Sequence, residues 1–139
     1  MSLLAGLAAL VDEYRHHMIV DLELRLPGAV AEPPQEVTGH LLAIVSASLS
    51  NVARHSRATR ASVELAAAAD GEGLELTIED NGVGFDPAAE VKLGHQGLAN
   101  TRERASEIGG SVRFDSTPGA GTRVIVRVPN LSGGGSSDA

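Results

Sequence analysis

Residues 74–84 read LELTIEDNGVG. Leu74, Leu76 and Ile78 alternate with polar residues, which predicts a strand with one buried face. By the same alternation Asp80 points toward the buried side, where a carboxylate is costly unless a hydrogen-bond donor meets it. An exocyclic amine of a purine is such a donor, although a hairpin turn with a capping Asp fits the motif equally well.

The same alternation predicts four further strands, at residues 19–26, 61–67, 111–115 and 122–128. The second of them pairs with strand 74–80 as an antiparallel hairpin, through a turn that contains Asp70-Gly71. In the first of them three residues share one side and are expected to be half-buried together: Leu22, Leu24 and Leu26.

Three helices are marked by apolar residues at helical spacing. The first covers residues 3–17, the second follows Pro33-Pro34 and runs to about His55, and the third starts near Leu98 and ends at Gly109-Gly110. The order helix, strand, helix, strand, strand, helix, strand, strand predicts an α/β (α+β) two-layer sandwich. Its sheet is mixed and mainly antiparallel, with the helices on one face.

The composition excludes several classes of function. A net charge of −7 argues against nucleic-acid binding, because replacing counterions along a phosphate backbone needs a basic surface. The absence of Cys excludes disulfides and thiolate metal sites, and it is compatible with a cytoplasmic location. The apolar stretches are far shorter than the roughly 20 residues that span a bilayer, so no direct membrane contact is expected.

The chain is predicted to have three parts. Residues 1–17 form a linker helix that continues from an upstream domain, since the chain starts abruptly inside an apolar helical pattern. Residues 18–130 form the folded domain, and the Gly/Ser-rich residues 131–139 form a flexible tail. Within the folded domain, residues 81–96 are expected to be a long, mobile connection of the kind that usually carries function.

Polar residues outside the core pattern indicate a ligand site on the second helix. Asn51 lies off the apolar stripe, with Ala47 and His55 one turn away on either side. An Asn amide oxygen can ligate Mg²⁺ beside substrate phosphates, and Arg54 or His55 can meet a phosphate. The same residues are also typical of a solvated helix face.

Three glycine motifs complete the pattern. Gly82 and Gly84 let the backbone turn sharply and approach a ligand. The run Gly94-His95-Gln96-Gly97-Leu98 leads into the third helix, whose first N–H groups can hold a phosphate, or it is an ordinary helix entry. The run Gly119-Ala120-Gly121-Thr122 leads into the last strand; if its valines are buried, Thr122 faces the same side as Asp80 and can bind the same base.

The order of these motifs resembles the N, G1, G2 and G3 boxes of the Bergerat-fold ATPases. That superfamily contains gyrase-type topoisomerases, the ninety-kilodalton heat-shock chaperone, mismatch-repair ATPases and histidine kinases. The resemblance covers residues 22–129. More narrowly, residues 49–55 (LSNVARH), 94–98 (GHQGL) and 102–105 (RERA), followed by a Gly-Gly pair, resemble the nitrate-sensor branch of bacterial sensor histidine kinases.

The resemblance implies ATP and Mg²⁺ as cofactors. It implies that Asn51 holds Mg²⁺ among the phosphates, that Asp80 accepts from the adenine amine, and that Thr122 supports the adenine end. Gly82 and Gly84 would shape the base pocket, while Gly97 and Leu98 would offer backbone groups to the phosphates. The family's lid corresponds to residues 85–96. Further candidate phosphate contacts are Arg54, His55, Lys92 and His95.

Two departures from the family pattern concern catalysis. The family usually has a Glu one turn before the Asn, the residue associated with polarising the attacking group, and Ala47 stands there. The catalytic residue is therefore unknown, whereas nucleotide binding is still expected. The phosphoacceptor segment is absent, and His16 and His17 lie in the wrong context to replace it.

The expected function is transfer of the γ-phosphate of ATP to a histidine on a separate dimerisation domain, with a response regulator downstream. The isolated chain is not expected to phosphorylate itself. Two alternatives stay open: a nucleotide-binding module without phosphotransfer, and a serine kinase of the anti-sigma type.

Overall fold

The computed structural model describes residues 2–28, 30–53, 57–68, 73–84 and 96–129, with the backbone alone for 96–98. Within these residues the secondary structure follows the predicted order of helices and strands. The elements are α1 (Leu3–Arg15), β1 (Asp21–Arg25), α2 (Gln35–Asn51), β2 (Arg60–Ala67), β3 (Leu74–Asp80), α3 (Gln96–Glu107), β4 (Ser111–Ser116) and β5 (Thr122–Val128).

The five strands form one sheet in the order β1-β2-β3-β5-β4. Strands β1 and β2 are parallel, and every other neighbouring pair is antiparallel. The connection between the two parallel strands contains α2, as a parallel crossover requires. The mixed, mainly antiparallel sheet of the sequence prediction is therefore confirmed, while the turn predicted at residues 70 and 71 lies outside the described residues.

The core lies between one face of the sheet and the three helices. Leu41, Ile44, Val45 and Leu49 of α2 are buried there, each no more than 1 % exposed. They recur at helical spacing, so one stripe of α2 is removed from water. On β3 and β5 the alternate residues are buried. The opposite face of these two strands carries four charged side chains: Glu75, Glu79, Arg123 and Arg127.

Helix α1 is packed into this core. Ser2 caps it by accepting a hydrogen bond from the Ala5 N–H at 3.1 Å, as N-cap serines do. Leu3, Leu7 and Val11 are fully buried. The helix thus belongs to the domain by its packing, and its continuation from an upstream domain stays a prediction.

The bounds of β1 differ from the sequence prediction. The strand covers Asp21–Arg25 rather than residues 19–26. Leu22 is buried and Leu24 half-buried, but Leu26 is 37 % exposed, so the expectation that all three share a buried side is wrong at Leu26. Among the described strands β1 pairs with β2 alone, and this pairing stops at Arg25. Pro27 cannot donate a further ladder hydrogen bond.

The helix ends follow local signals. Helix α3 begins at Gln96, two residues before the predicted start, and is followed by Gly109 with a φ of 73°. The Gly110 N–H then donates to the Ala105 carbonyl oxygen at 2.8 Å, which closes the helix end as glycine C-caps do. Among the described residues no helix combines the length and apolar character needed to cross a bilayer.

Candidate active site

Several of the predicted site residues meet at one end of the sheet. β3 ends at Asp80, which lies directly opposite Ala61 at the start of β2 and opposite Thr122 at the start of β5. Residues directly opposite each other project their side chains to the same face, with Cβ atoms about 4.5–5.5 Å apart. Asp80 and Thr122 therefore share the helix-covered side, as the alternation predicts.

The Asp80 carboxylate combines a turn contact with a free acceptor. The Gly82 N–H donates to its Oδ1 at 2.7 Å, so the turn-capping interpretation is correct for one oxygen. Among the described residues the other oxygen receives no hydrogen bond. Burial raises the pKa of the Asp80 carboxyl above its ordinary value, the Gly82 N–H lowers it in part, and the charge of Glu79 raises it further.

A cavity of about 430 Å³ opens at this end of the sheet. Its walls come from the ends of β3, β4 and β5 and from the turn between β4 and β5. Asp80, Thr122 and Ser116 line it together. The Ser116 hydroxyl lies 2.9 Å from Thr122 Oγ1 and 2.9 Å from the Gly121 carbonyl oxygen. The cavity lining thus includes the Asp80 carboxylate and this pair of hydroxyl groups, all carried by the ends of neighbouring strands.

Two glycines let the loops that border the cavity touch. Gly84 has a φ of 68°, and a Cβ there would lie 2.2 Å from the Thr117 carbonyl oxygen. Gly121 has a φ of 81°, and a Cβ there would lie 2.3 Å from the Asp80 carbonyl oxygen. Both positions combine a backbone conformation that L side chains rarely adopt with a contact that no side chain permits. The loops after β3 and before β5 therefore form one packed unit.

Asn81 fixes the same turn to β2, a role that the sequence analysis did not assign. Its Oδ1 accepts from the N–H groups of Thr59 at 3.0 Å and Arg60 at 2.9 Å. Its Nδ2 donates to Thr59 Oγ1 at 2.9 Å. The tendency of Asn side chains to bond backbone groups in turns was the available signal, but the partners lie 22 and 21 residues away. Asn81 holds Asp80 in place from the side of β2.

Replacing Asn81 by Ala is expected to lower the free energy of unfolding by about 0.5–1.5 kcal/mol, because two backbone N–H groups in an exposed turn lose their protein acceptor. Thr59→Val is the matched control, since it removes only the bond to Nδ2 and should cost less. Chemical denaturation of both variants measures the difference. Equal stability of the Asn81→Ala variant and the unmodified chain would contradict the anchoring role.

Asn51 lies at the same end of the sheet. Helix α2 connects two parallel strands and so runs back along the sheet, ending where β2 begins. Asn51 and Ala47 are both exposed and one turn apart near this end of α2. The candidate phosphate contacts Arg54, His55, Lys92 and His95 lie outside the described residues. The predicted lid at residues 85–96 lies outside them too, except for Gln96, which begins α3.

Helix α3 completes the surroundings of the site. Gly97 and Leu98 lie in its first turn, where backbone N–H groups are available for an anion. The helix packs on β4, and the Arg102 guanidinium lies 5.0 Å from the centre of the Phe114 ring. This cation–π contact ties α3 to the strand that carries Ser116.

Comparison with known proteins decides the family. Residues 36–132 match the family model described as "Histidine kinase-, DNA gyrase B-, and HSP90-like ATPase". The chain belongs to this ATPase family. The matched residues run from the first turn of α2 to beyond β5, so they include every element that builds the site.

Curated relatives of this ATPase domain include sensor kinases. It is 40% identical over 124 residues to the sensor histidine kinase LiaS of Bacillus subtilis, covering 89% of this chain and 33% of LiaS. It is 38% identical over 118 residues to the sensor protein VraS of Staphylococcus saprophyticus, covering 81% of this chain and 33% of VraS. The chain thus spans about a third of the length of these relatives. The narrower resemblance to the nitrate-sensor branch receives no support from them.

Solved structures show the same fold. The ATP-binding domain of PrrB from Mycobacterium tuberculosis aligns with a TM-score of 0.72 at 24% identity, covering 94% of this chain and 95% of that one. The histidine kinase domain of the blue-light activated kinase EL346 from Erythrobacter litoralis aligns with a TM-score of 0.77 at 23% identity. The alignment covers 96% of this chain and 63% of that one. The fold of the ATPase domain is therefore the α/β sandwich expected from the sequence.

Proposed function

We propose that this ATPase domain binds Mg-ATP and donates the γ-phosphate to a histidine on a separate dimerisation domain, in two-component signalling with a response regulator downstream. The observation that carries the proposal is the second oxygen of Asp80, an acceptor on a half-buried carboxylate at the cavity. An adenine amine is a donor of the required kind. The sensor-kinase relatives favour a histidine as acceptor over the anti-sigma type of serine kinase.

Mg²⁺ fits the site only together with the nucleotide. No group of three His, Cys, Asp or Glu residues in the described part of the chain could hold a metal ion. Asn51 offers one exposed amide oxygen, and Mg²⁺ is commonly held by few protein oxygens together with substrate phosphates and water. When bound, Mg²⁺ would neutralise phosphate charge. Asn51 is therefore the proposed protein ligand.

The residues of the chain would act mainly by positioning. Asp80 and Thr122 would fix the base, and the first turn of α3, with Gly97 and Leu98, would offer N–H groups to the phosphates. Position 47 lies one turn from Asn51, where a general base would reach the phosphate end, but Ala47 supplies none. We infer that phosphotransfer is slow unless the acceptor histidine provides its own nucleophilicity. The cytoplasm is the proposed location, because the reaction consumes ATP.

A calorimetric titration with ATP and Mg²⁺ tests the proposal. Binding is expected between about 1 μM and 1 mM, typical of one nucleotide in an open pocket. A phosphohistidine assay with an added histidine-bearing helical domain then tests transfer. No heat at millimolar nucleotide would refute the proposal, whereas binding without transfer would favour a nucleotide-binding module.

Nucleotide affinity is expected to fall as the pH is lowered. The fall should begin at a higher pH than it would if Asp80 had the ordinary aspartate pKa of about 3.9. Burial raises the pKa of Asp80, so its carboxylate is protonated earlier as the pH falls, and the adenine amine then loses its acceptor. Titrations at a series of pH values measure the decline. Asp80→Asn is the control, because it should lack this component of the decline.

The contribution of Asp80 to the stability of the nucleotide-free domain is expected to increase as the pH is lowered, whereas nucleotide affinity decreases. The folded-state pKa of Asp80 lies above the unfolded value, so the folded state binds more protons between the two. The contribution of Asp80 to stability is therefore largest below the unfolded pKa and is lost as the pH rises through the folded pKa. Subtracting the denaturation curves of the Asp80→Asn variant isolates this contribution.

A further inference from the structure

The hydroxyl groups of Ser116 and Thr122 form a pair whose proton positions follow from their neighbours. Ser116 Oγ lies 2.9 Å from the Gly121 carbonyl oxygen and 2.9 Å from Thr122 Oγ1. A carbonyl oxygen can only accept a hydrogen bond, and a serine hydroxyl has one proton to donate. The Ser116 proton therefore points to Gly121, and the Thr122 proton points to Ser116.

This arrangement leaves Thr122 with acceptor lone pairs toward the cavity. Its single proton is used within the pair, so it has none to offer to a ligand. Asp80 lies directly opposite Thr122 across β3 and β5, and its second carboxylate oxygen is also an acceptor. Two neighbouring acceptors thus form this wall of the cavity. Such a wall favours a base edge that donates, as the 6-amino group of adenine does, and disfavours a 6-oxo group.

We propose that Ser116 is a positioning residue for base selectivity: it acts through Thr122, by holding the Thr122 hydroxyl as an acceptor. The proposal rests on the proposed function, since it specifies how the same pocket selects its nucleotide. Without Ser116 the Thr122 hydroxyl can rotate and donate to a 6-oxo group. Loss of Ser116 should therefore reduce selectivity between bases, beyond any general weakening of the site.

Inosine triphosphate is the appropriate probe, because it differs from ATP in carrying a 6-oxo group and a protonated N1. Kd values for both nucleotides, with Mg²⁺, give a selectivity ratio for each variant. Ser116→Ala is expected to lower the preference for ATP by about 3- to 10-fold, the scale of one neutral hydrogen bond. Ser116→Thr keeps the hydroxyl and should keep the preference. In a Thr122→Val background the Ser116→Ala change should have no further effect on the ratio, because the group through which it acts is gone.

The outcomes separate selectivity from structure. A purely structural role of Ser116 would weaken both nucleotides equally, and an unchanged ratio in the Ser116→Ala variant would overturn the proposal. An unmodified chain that binds both nucleotides equally would overturn it as well. An unmodified chain that binds neither would refute the proposed function itself. Should the Ser116→Ala variant fail to fold, Ser116→Cys keeps the volume but donates weakly, and it should lower the ratio in the same direction.

Discussion

Replacing Ala47 by Glu is expected to raise phosphotransfer to an added histidine-bearing domain by roughly 100-fold, the lower range of general-base assistance. Position 47 lies one helical turn before Asn51, and side chains four residues apart on a helix are neighbours. A Glu there would reach the phosphate end of the pocket. It would accept a proton or polarise the attacking imidazole, which no described residue of α2 next to Asn51 now does.

The local structure permits this substitution. Ala47 is exposed on α2, so a longer side chain displaces no core atoms. Glu is nearly as good a helix former as Ala, so the cost to the helix is a few tenths of a kcal/mol at most. Nucleotide affinity should stay within a few fold of the original value, because the new carboxylate is asked to act in the transition state rather than on bound ATP.

Ala47→Gln is the matched control. It has nearly the same size and shape as Glu but cannot take a proton. Single-turnover phosphotransfer at saturating Mg-ATP should therefore be fast for Glu and remain at the Ala47 level for Gln. Equal rates for all three chains would show that a base at position 47 is not needed. Fast transfer by the Gln variant would instead assign the gain to packing or helix stability.

The sheet was predictable where the sequence alternates over several residues. β2, β3 and β5 match their predicted ranges within one residue, because each places apolar residues on one face and polar residues on the other. The strand order could not be derived in the same way. The parallel pairing of β1 with β2 and the position of β5 between β3 and β4 depend on contacts between segments far apart in the chain.

The site was predictable to the extent that it follows strand parity. Alternation alone places Asp80 and Thr122 on the same face. The hydrogen bond between Ser116 and Thr122 depends on how β4 pairs with β5, and the anchoring of Asn81 to Thr59 joins residues 22 positions apart. Neither contact follows from a local sequence pattern. The phosphate-side roles of Arg54, His55 and His95 stay predictions, because these residues lie outside the described part of the chain.

Replacing Asp80 by Asn is expected to weaken ATP binding by about 1–3 kcal/mol, equivalent to roughly 5- to 150-fold in Kd. The turn itself should survive, because the amide oxygen of Asn can still accept the Gly82 N–H that now bonds Oδ1 at 2.7 Å. What changes is the second atom of the group, which becomes an NH₂ donor facing the cavity. An adenine amine then meets a donor instead of an acceptor, which leaves both groups unpaired.

The preference for ATP over GTP should also fall in the Asp80→Asn variant. It should fall by a larger factor than the affinity for ATP, because binding of GTP improves at the same time. The 6-oxo group of guanine is repelled by the carboxylate of Asp80 but can accept a hydrogen bond from an Asn NH₂. Calorimetric Kd values for both nucleotides measure the change, with Asp80→Ala as the second variant. Ala removes the Gly82 acceptor as well and offers the base neither an acceptor nor a donor, so it should loosen the turn, weaken both nucleotides and lower the preference for ATP less than Asn does. If Asn and Ala reduced ATP and GTP binding by the same factors, Asp80 would serve the turn between β3 and the following loop, and the base would be read by other residues.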